Sequence, residues 1–340
     1  MGKKKKEVCP TCGKSFVYLN RHKCKEVEKV ISDKGEKTNG RFRGAQIPDV
    51  EANFLKELES QLKIEFEVVE NINFDTKMGF TVEDNRVSML GLYDCDLSTL
   101  PESIGNLNSL QVITLASNKL SKLPDSFWNL KSLKVLSLID NKFTTLPESL
   151  GNLSSLQVLS LDSNQLSTLP ESIGNLSSLE ILWCLKNQLE TLPESIGNLK
   201  SLKQLWISDN KLKSLPESIG NLCSLEILWL NENQLSTLPE SLSSLIAEVS
   251  QPNVRKESLH TLGLGGNNLK TLPETITKPK QIPLGGSGMK LPDGTFFVHE
   301  SISPNDIKPP LKVFLDNEKP MTLSDAIKIL TQEGVKFVPG

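Results

Sequence analysis

The chain has 340 residues with 38 basic and 41 acidic side chains, which give a formal net charge of −3. This length is enough for two or three domains, and no apolar run is long enough to span a bilayer. The charge is unevenly placed. Residues 1–43 hold 13 Lys or Arg against 5 Asp or Glu, a balance of +8, so the remainder carries −11. We therefore expect a basic head on an acidic body.

Cysteine usage and the first residues of the chain predict its compartment. Cys95, Cys184 and Cys223 lie at unrelated positions of the sequence pattern and are expected to be free thiols. The lysines at 3–6 are followed by Cys-Pro-Thr-Cys instead of the apolar stretch of a secretory signal. Both observations favour a reducing, cytoplasmic location.

Residues 1–26, the first part of the basic head, carry a set of metal-ligand residues. Thiol and imidazole side chains at this spacing suit tetrahedral zinc, and metal binding would supply most of the folding free energy of so short a segment. The head resembles the small C2HC zinc fingers, although its His-x-Cys ending is shorter than the usual gap. We expect structural Zn²⁺ on Cys9, Cys12, His22 and Cys24. The alternative is an unstructured basic tail with incidental cysteines.

Residues 27–47 are charged and contain Gly with few apolar side chains, which predicts a flexible linker. Residues 48–86 predict a helix followed by a hairpin, because alternating apolar residues flank a Glu-Asp-Asn turn after the helical pattern. The apolar residues at helical spacing are Val50, Phe54, Leu55, Leu58 and Leu62. We expect this segment to cap a stack of repeats, whose first member has no preceding neighbour.

The segment 87–276 repeats itself with a fixed period. An asparagine ends each L-x-x-L-x-L-x-x-N pattern and recurs every 23 residues, at Asn118, Asn141, Asn164, Asn187, Asn210 and Asn233. Cys95 holds this position one repeat earlier, and Asn267 holds it one repeat later, after an insertion at 246–256. This self-similarity predicts eight repeats that stack to bury a shared core.

Each repeat predicts one short strand followed by a turn. Alternate leucines face one side of the strand, the Asn amide both donates and accepts at the turn that follows, and the next Pro ends any ladder. The L-P-x-x-I-G-N-L form resembles the cytoplasmic leucine-rich repeats of Ras-binding and Scribble-type scaffolds. The resemblance implies an α/β solenoid with a curved parallel sheet and short convex 3₁₀ or helical turns. It also implies a non-catalytic scaffold whose partner is a protein, such as a small GTPase or another signalling protein.

Beyond the repeats, residues 277–340 predict a linker and a small α/β module. Apolar residues at 295–299 and 311–315 indicate strands, and the pattern that begins at Thr322 indicates a helix. The module resembles no family that we recognise.

The positions that the repeat leaves variable predict the binding surface. We number the nine positions of L-x-x-L-x-L-x-x-N as slots 1 to 9 and expect slots 3, 5, 7 and 8 to face the concave side. Tryptophan fills slot 5 in three consecutive repeats, at Trp183, Trp206 and Trp229. Slots 7 and 8 add apolar and acidic side chains, which are Ile139, Leu185, Asp140, Asp162, Asp209 and Glu232. Tryptophan among polar groups is typical of a binding hot spot; the alternative is recent duplication, with rings stacked for stability.

The sequence does not predict catalysis. The three histidines, at 22, 260 and 299, have no acid or nucleophile beside them in a catalytic pattern, and the Gly-rich stretches lack the Gly-Lys-Ser/Thr of a phosphate loop. We expect a protein-interaction scaffold. A rival hypothesis gives the basic finger the binding role, with either nucleic acid, through phosphate contacts, or a ubiquitin-like protein as the partner.

Overall fold

The computed structural model describes residues 47–246 and 259–273, together with the backbone of seven short strands outside these ranges. The four predicted zinc ligands, the linker up to residue 46, the residues 247–258 that include most of the insertion, and the helix expected from Thr322 onward lie outside the described residues, apart from Thr322 itself. Among the residues described, no helix is long and apolar enough to cross a membrane.

The N-terminal elements come first. Strands β1 (Glu7–Val8) and β2 (Ser15–Phe16) pair antiparallel. Helix α1 (Asp49–Leu62) follows Pro48 and ends at Lys63, whose φ of 54° is left-handed. Strands β3 (Glu67–Val68) and β4 (Gly79–Glu83) then pair in parallel.

Each repeat contributes one strand to a parallel sheet. The strands are β5 (Arg86–Gly91), β6 (Val112–Thr114), β7 (Val135–Ser137), β8 (Val158–Ser160), β9 (Ile181–Trp183), β10 (Gln204–Trp206), β11 (Ile227–Trp229) and β12 (Thr261–Gly263). The register places equivalent slots side by side, as with Leu159 and Leu182. Strand β5 also pairs antiparallel with β4 through a turn at Asp84 and Asn85, which both have positive φ, as a two-residue type I′ hairpin turn requires.

The convex side is made of short turns that follow each Leu-Pro. They are 3₁₀ helices at Glu102–Asn106, Asp125–Asn129, Glu148–Asn152, Glu171–Asn175, Glu194–Asn198, Glu217–Asn221 and Glu240–Leu242. The preceding proline has the extended conformation, with φ of −69° at Pro170, and its ring fixes that φ. Helix α2 (Ser243–Ile246) continues the last turn. The predicted parallel sheet with short convex turns is confirmed.

The repeated Pro-Glu-Ser residues hold neighbouring turns together. Glu171 accepts a hydrogen bond at Oε2 from the backbone N–H of Ser195, 3.2 Å away and one repeat later. At Glu102 the hydrogen bonds from Ser126 lower the pKa of the carboxyl. Gly174 faces the same serine: a Cβ built there would lie 2.5 Å from the Ser195 carbonyl oxygen. The repeated Glu, Ser and Gly are therefore structural.

One leucine-rich core runs through the described repeats from α1 to Leu272. Phe54, Leu55 and Leu58 on α1 have no exposed surface and continue this core beyond the first repeat. The fully buried Glu51 carboxylate accepts a hydrogen bond from the Val87 backbone N–H at 2.8 Å and forms an ion pair with the Arg86 guanidinium. Helix α1 thus covers the leucines of the first repeat and also supplies a hydrogen-bond acceptor to a backbone N–H of its strand.

The slot-9 asparagines link each repeat to the one before it. Asn164 accepts at Oδ1 from the Phe143 N–H at 3.0 Å and donates from Nδ2 to the Leu138 carbonyl at 2.8 Å, both in the preceding repeat. It also donates to the Leu161 carbonyl in its own repeat. The Cys95 thiol donates to the Tyr93 carbonyl at 3.3 Å and accepts a hydrogen bond from the backbone of Met78. In the first repeat a thiol, a weaker donor and acceptor than an amide, therefore takes the slot-9 position.

Strands near the C-terminus continue past the last repeat. They are β13 (Thr271–Pro273), β14 (Met289–Lys290), β15 (Phe296–Phe297), β16 (Lys312–Phe314), β17 (Met321–Thr322) and β18 (Lys336–Val338). Strand β16 pairs in parallel with β12, and β17 pairs antiparallel with β16. Strand β18 pairs in parallel with β13, and β14 pairs with β15. The repeat sheet therefore extends beyond repeat eight through β16 and β17.

Candidate functional site

The concave side of the sheet carries an apolar cluster that is separate from the leucine core. Its slot-3 members are Met89, Val112, Val135, Val158, Ile181 and Ile227. All six are buried, and Val158 has no exposed surface. Side chains on an open concave sheet would be reached by solvent, so other residues must cover this cluster.

Part of the cover is the connection between β3 and β4, which we call the crossover segment (residues 69–78). Ile72 from this segment packs into the cluster and is 1% exposed. The Phe74 carbonyl accepts a hydrogen bond from Thr114 Oγ1 at 3.1 Å, and the Thr76 carbonyl accepts one from the Tyr93 N–H at 3.0 Å. The segment therefore runs over the concave side of the first repeats.

Slot 5 is small where the crossover segment lies. Its residues in the first four repeats are Gly91, Thr114, Ser137 and Ser160. A Cβ at Gly91 would meet Thr76 of the segment at 2.7 Å, and Ser137 and Ser160 have no exposed surface. These small side chains leave the space that the segment occupies. The sequence pattern showed them only as background to the tryptophans, and Ile72 and Phe74 were not predicted.

From repeat five onward, aromatic rings cover the concave side. Phe74 at the segment contacts Trp183 with ring centroids 6.4 Å apart, Trp183 lies 6.2 Å from Trp206, and Trp206 lies 6.0 Å from Trp229. We call these four rings the aromatic row. The three slot-5 tryptophans that the sequence singled out are thus brought together, and a fourth ring joins them from outside the repeats.

The expectation of an exposed tryptophan stripe is corrected in part. Trp206 is 3% exposed, because a ring on each side and the apolar cluster beneath enclose it, whereas Trp183 and Trp229 are half-buried. The indole N–H groups of Trp183 and Trp206 are buried, with no hydrogen-bond partner among the described residues. Trp206 is therefore covered, and Phe74, Trp183 and Trp229 are the rings of the row that present surface to a partner.

Two of the predicted slot-7 residues are also placed differently from expectation. Asp162 is 2% exposed, and its Oδ1 accepts a hydrogen bond from the Leu185 backbone N–H at 2.8 Å, so this carboxylate serves the next repeat instead of a binding rim. Ile139 is 5% exposed and adds no apolar surface. Leu185 is half-buried against the concave cluster and remains accessible.

The slot-8 residues form the rim where the chain leaves each strand. Asp140, Asp209 and Glu232 are exposed there. Asp140 accepts a hydrogen bond from Ser117 Oγ at 3.1 Å, and in the first repeat Asp94 pairs with Lys77 at 3.4 Å. All eight slot-8 residues have positive φ, from 50° at Asp94 to 67° at Gly266, which is the left-handed conformation that non-glycine residues rarely adopt.

The opposite rim, formed by slot 2 where the chain enters each strand, carries charges of both signs. Lys203 Nζ lies 3.0 Å from Glu180 Oε2, and His260 Nε2 lies 3.5 Å from Glu226 Oε2. The concave side thus has one rim on which Lys203 pairs with Glu180 and one rim, at slot 8, with exposed carboxylates.

In repeat eight, slot 5 holds a glycine next to the last ring of the aromatic row. A Cβ at Gly263 would lie 2.9 Å from Trp229 Cδ2, so the indole occupies the space of a slot-5 side chain in the next repeat. A Cβ at Gly266 would lie 2.5 Å from the Glu232 carboxyl carbon. Asn231 Oδ1 accepts a hydrogen bond from the Gly265 N–H at 3.0 Å. Three side chains of repeat seven therefore lie over the bare backbone of repeat eight.

The thiols within the described residues differ in reactivity. Burial raises the pKa of the Cys184 thiol, and the charge of Asp162 acts in the same direction. Burial also raises the pKa of Cys95. Cys223 is exposed on the convex side. Reactive cysteines need a stabilised thiolate, and neither buried thiol has one.

The described residues nearest in sequence to the predicted ligands Cys9 and Cys12 are those of strands β1 and β2. Strands β1 and β2 pair with Glu7 opposite Phe16 and Val8 opposite Ser15. Cys9 and Cys12 stand between these two strands in the sequence.

Comparisons with known proteins agree with the repeat geometry. A family model described as "Leucine-rich repeat region" matches residues 86–165, 125–212 and 158–251. A search of curated proteins returned no significant match. Similar solved structures include the Leptospira interrogans LRR protein LIC12759, with 33% identity over 55% of this chain and 51% of that one, and a TM-score of 0.45.

Two further similar structures are complexes. They are the plant peptide hormone receptor RGFR1 in complex with RGF2, with 28% identity over 64% of this chain and 30% of that one (TM-score 0.45), and PEPR1-AtPEP1, with 32% identity over 58% and 34% (TM-score 0.43). The chain spans about half or less of the length of each of these structures. Residues 86–251 thus match a leucine-rich repeat model, and the period, register and asparagine ladder described above give these residues the fold of a leucine-rich repeat solenoid.

Proposed function

We propose that this protein is a non-catalytic interaction module that binds a partner protein on the concave face of its repeats. The observation that carries the proposal is the aromatic row, in which Trp183 and Trp229 are half-buried and remain accessible beside Leu185. Large aromatic side chains in a partly desolvated setting are typical of binding hot spots. Soluble chains seldom keep a contiguous apolar patch on a surface without a partner for it.

The non-catalytic part of the proposal is supported by how the repeated polar residues are used. The carboxylates of Glu102, Glu148, Glu171 and Glu217 each accept a hydrogen bond from a backbone N–H of the neighbouring turn, and each slot-9 Asn bonds to backbone groups. Carboxylates that already accept structural hydrogen bonds are poor candidates for a general base. A small GTPase or another signalling protein is the partner class that the repeat form favours.

The test is a cross-linked pull-down from native lysate with Leu185→Glu, which adds one charge to the concave face. The matched control is Gln188→Glu, which adds the same charge to the same repeat at an exposed position. We expect the captured protein to be lost with Leu185→Glu and retained with Gln188→Glu, while circular dichroism shows both variants folded. Equal capture by wild type and Leu185→Glu would show that the concave face is not the site.

A second candidate function rests on the basic head. Its balance of +8 and the pairing of β1 with β2 support a zinc-bound finger in which Cys9, Cys12, His22 and Cys24 would hold the ion. We expect about one zinc per chain by elemental mass spectrometry, lost in Cys9→Ser/Cys12→Ser and kept in Cys223→Ser. Equal zinc content in all three proteins would refute the site.

If the finger binds nucleic acid, affinity for a duplex will fall steeply and linearly on a log–log plot against salt concentration. A ubiquitin-like partner would instead be captured as a protein, with a weak salt dependence. Binding that persists when all head lysines are replaced by Gln would exclude the nucleic-acid alternative.

A further inference from the structure

The concave face is divided into a closed half and an open half. The crossover segment covers the first repeats, from Tyr93, which donates to Thr76, to Trp183, which Phe74 contacts. Between these two ends, slot 5 is buried at Thr114, Ser137 and Ser160. A partner therefore meets the described repeats from five onward, where Phe74 forms one boundary of the accessible surface and Trp229 lies over the glycine of repeat eight.

The open half combines indole surface with unpaired negative charge. Asp209 and Glu232 occupy slot 8 in adjacent repeats, one strand spacing or about 4.8 Å apart. Both side chains are exposed, and within the described part of the chain no Lys or Arg forms an ion pair with either. Lys186 stands in slot 8 one repeat earlier and is half-buried. Two neighbouring carboxylates repel each other until a cation comes between them.

A buried hydroxyl without a described hydrogen-bond partner lies beneath the same surface. Ser208, in slot 7 beside Asp209, is 8% exposed, and its Oγ has no partner among the residues described. Leaving such a group unpaired is unfavourable. It lies between Leu185 and Asn231 in the same slot, at the centre of the open half.

We propose that repeats five to eight bind an extended, arginine- or lysine-containing segment of the partner. This inference rests on the proposed function and names its partner chemistry. The carboxylates of Asp209 and Glu232 bind the cationic head groups. The half-buried face of Trp229 packs against a guanidinium or an aliphatic stem, because the face of an aromatic ring attracts cations. On the opposite rim Lys203 pairs with Glu180, which leaves slot 8 as the side that determines charge preference.

The probe for this proposal is a short fluorescein-labelled peptide of alternating Gly and Arg, titrated against the full chain and followed by fluorescence anisotropy. Asp209→Asn/Glu232→Gln should weaken binding about tenfold, since two exposed charge contacts are lost. The matched control, Asp125→Asn/Glu194→Gln, removes two exposed carboxylates from the convex turns and should leave affinity unchanged. Equal weakening in both variants, or in neither, overturns the proposal.

A second measurement identifies a competing occupant. Carbodiimide joins a lysine amine directly to a carboxylate, so it reports contacts of Asp209 and Glu232 in the full chain. An intramolecular cross-link from these residues to lysines of 1–43 would overturn the partner proposal and assign the surface to the chain's own basic head. If Leu185→Glu abolishes capture of a partner while the Arg peptide does not bind, the proposed function stands and this inference fails.

Discussion

At the scale of single residues, each repeat is tied to the preceding one by one asparagine amide. Asn164 pairs two buried backbone groups of the preceding repeat, the Phe143 N–H and the Leu138 carbonyl. The sequence predicted an asparagine that donates and accepts, because the residue recurs every 23 positions and only an amide has both functions. It did not predict that the bonds reach backward to the preceding repeat.

Replacing Asn164 with Ala should therefore lower the free energy of unfolding by about 3 kcal/mol, because two buried backbone groups lose their partner. Urea unfolding followed by circular dichroism measures the change. Asn152→Ala is the control, since that side chain is exposed at the end of a convex turn. Equal midpoints for the two variants would mean that water or relaxation replaces the ladder bonds.

The cysteines give a pH-dependent prediction at the same scale. Burial raises the pKa of the Cys184 thiol above its unfolded value, so the folded state holds the proton more tightly. The stability from this difference is complete below about pH 8.5, the ordinary thiol pKa, and is lost as the pH rises above it. At about pH 8.5, iodoacetamide should label the exposed Cys223 and spare Cys184, as mapped by mass spectrometry. Comparable labelling rates in the native protein would contradict the burial of Cys184; in urea both should react.

At the scale of elements, glycine allows neighbouring convex turns to approach each other closely. The position of Gly174 against Ser195 leaves no room for a methyl group. Gly174→Ala should force the two turns apart and cost about 1–3 kcal/mol. The neighbouring Asn175→Ala, at an exposed position of the same turn, should change the urea midpoint little. A Gly174→Ala protein as stable as the wild type would show that the turns separate freely.

The strands and turns were predictable from the sequence, and the crossover segment was not. Leucines, asparagines and prolines recur once or more in every period, so their positions in the sequence show which side chains are buried. Ile72 and Phe74 occur once, and a single apolar pair carries no periodic signal about the surface that it meets. The small slot-5 residues Gly91, Ser137 and Ser160 were the available clue, because they make room for whatever lies above them. Asp162 was predicted to lie on the binding rim, because the repeat pattern does not show that the Leu185 N–H donates to its carboxylate.

At the scale of the whole molecule, the described solenoid is a row of nearest-neighbour contacts that begins at α1. Stability in such a row is roughly a sum of unit and interface terms, so damage at one end stays local. The first interface depends on Glu51, which is buried and bonded to Val87 and Arg86. Without this carboxylate, the backbone N–H of Val87 in β5 would lose its hydrogen-bond acceptor.

Glu51→Ala should destabilise the N-terminal end by about 2–3 kcal/mol, below the usual cost of breaking a buried pair because Arg86 keeps access to water. Hydrogen exchange should accelerate in β4 and β5 while β9 to β11 stay protected. Glu57→Ala, which removes a bond to the exposed Ser103 hydroxyl, is the control. Uniform acceleration across all repeats would mean that the solenoid unfolds as one cooperative unit.

The left-handed backbone at slot 8 restricts how the rim of this protein could be redesigned or could diverge. Every slot-8 residue has positive φ, a conformation that disfavours β-branched side chains most strongly. A library built at Asp140, Asp209 and Glu232 can therefore reverse charge or remove it with Lys, Asn, Ser or Gly at little cost to folding. Val, Ile and Thr would be depleted from its folded members. Evolution can change the charge of this rim more readily than it can make the rim branched and apolar.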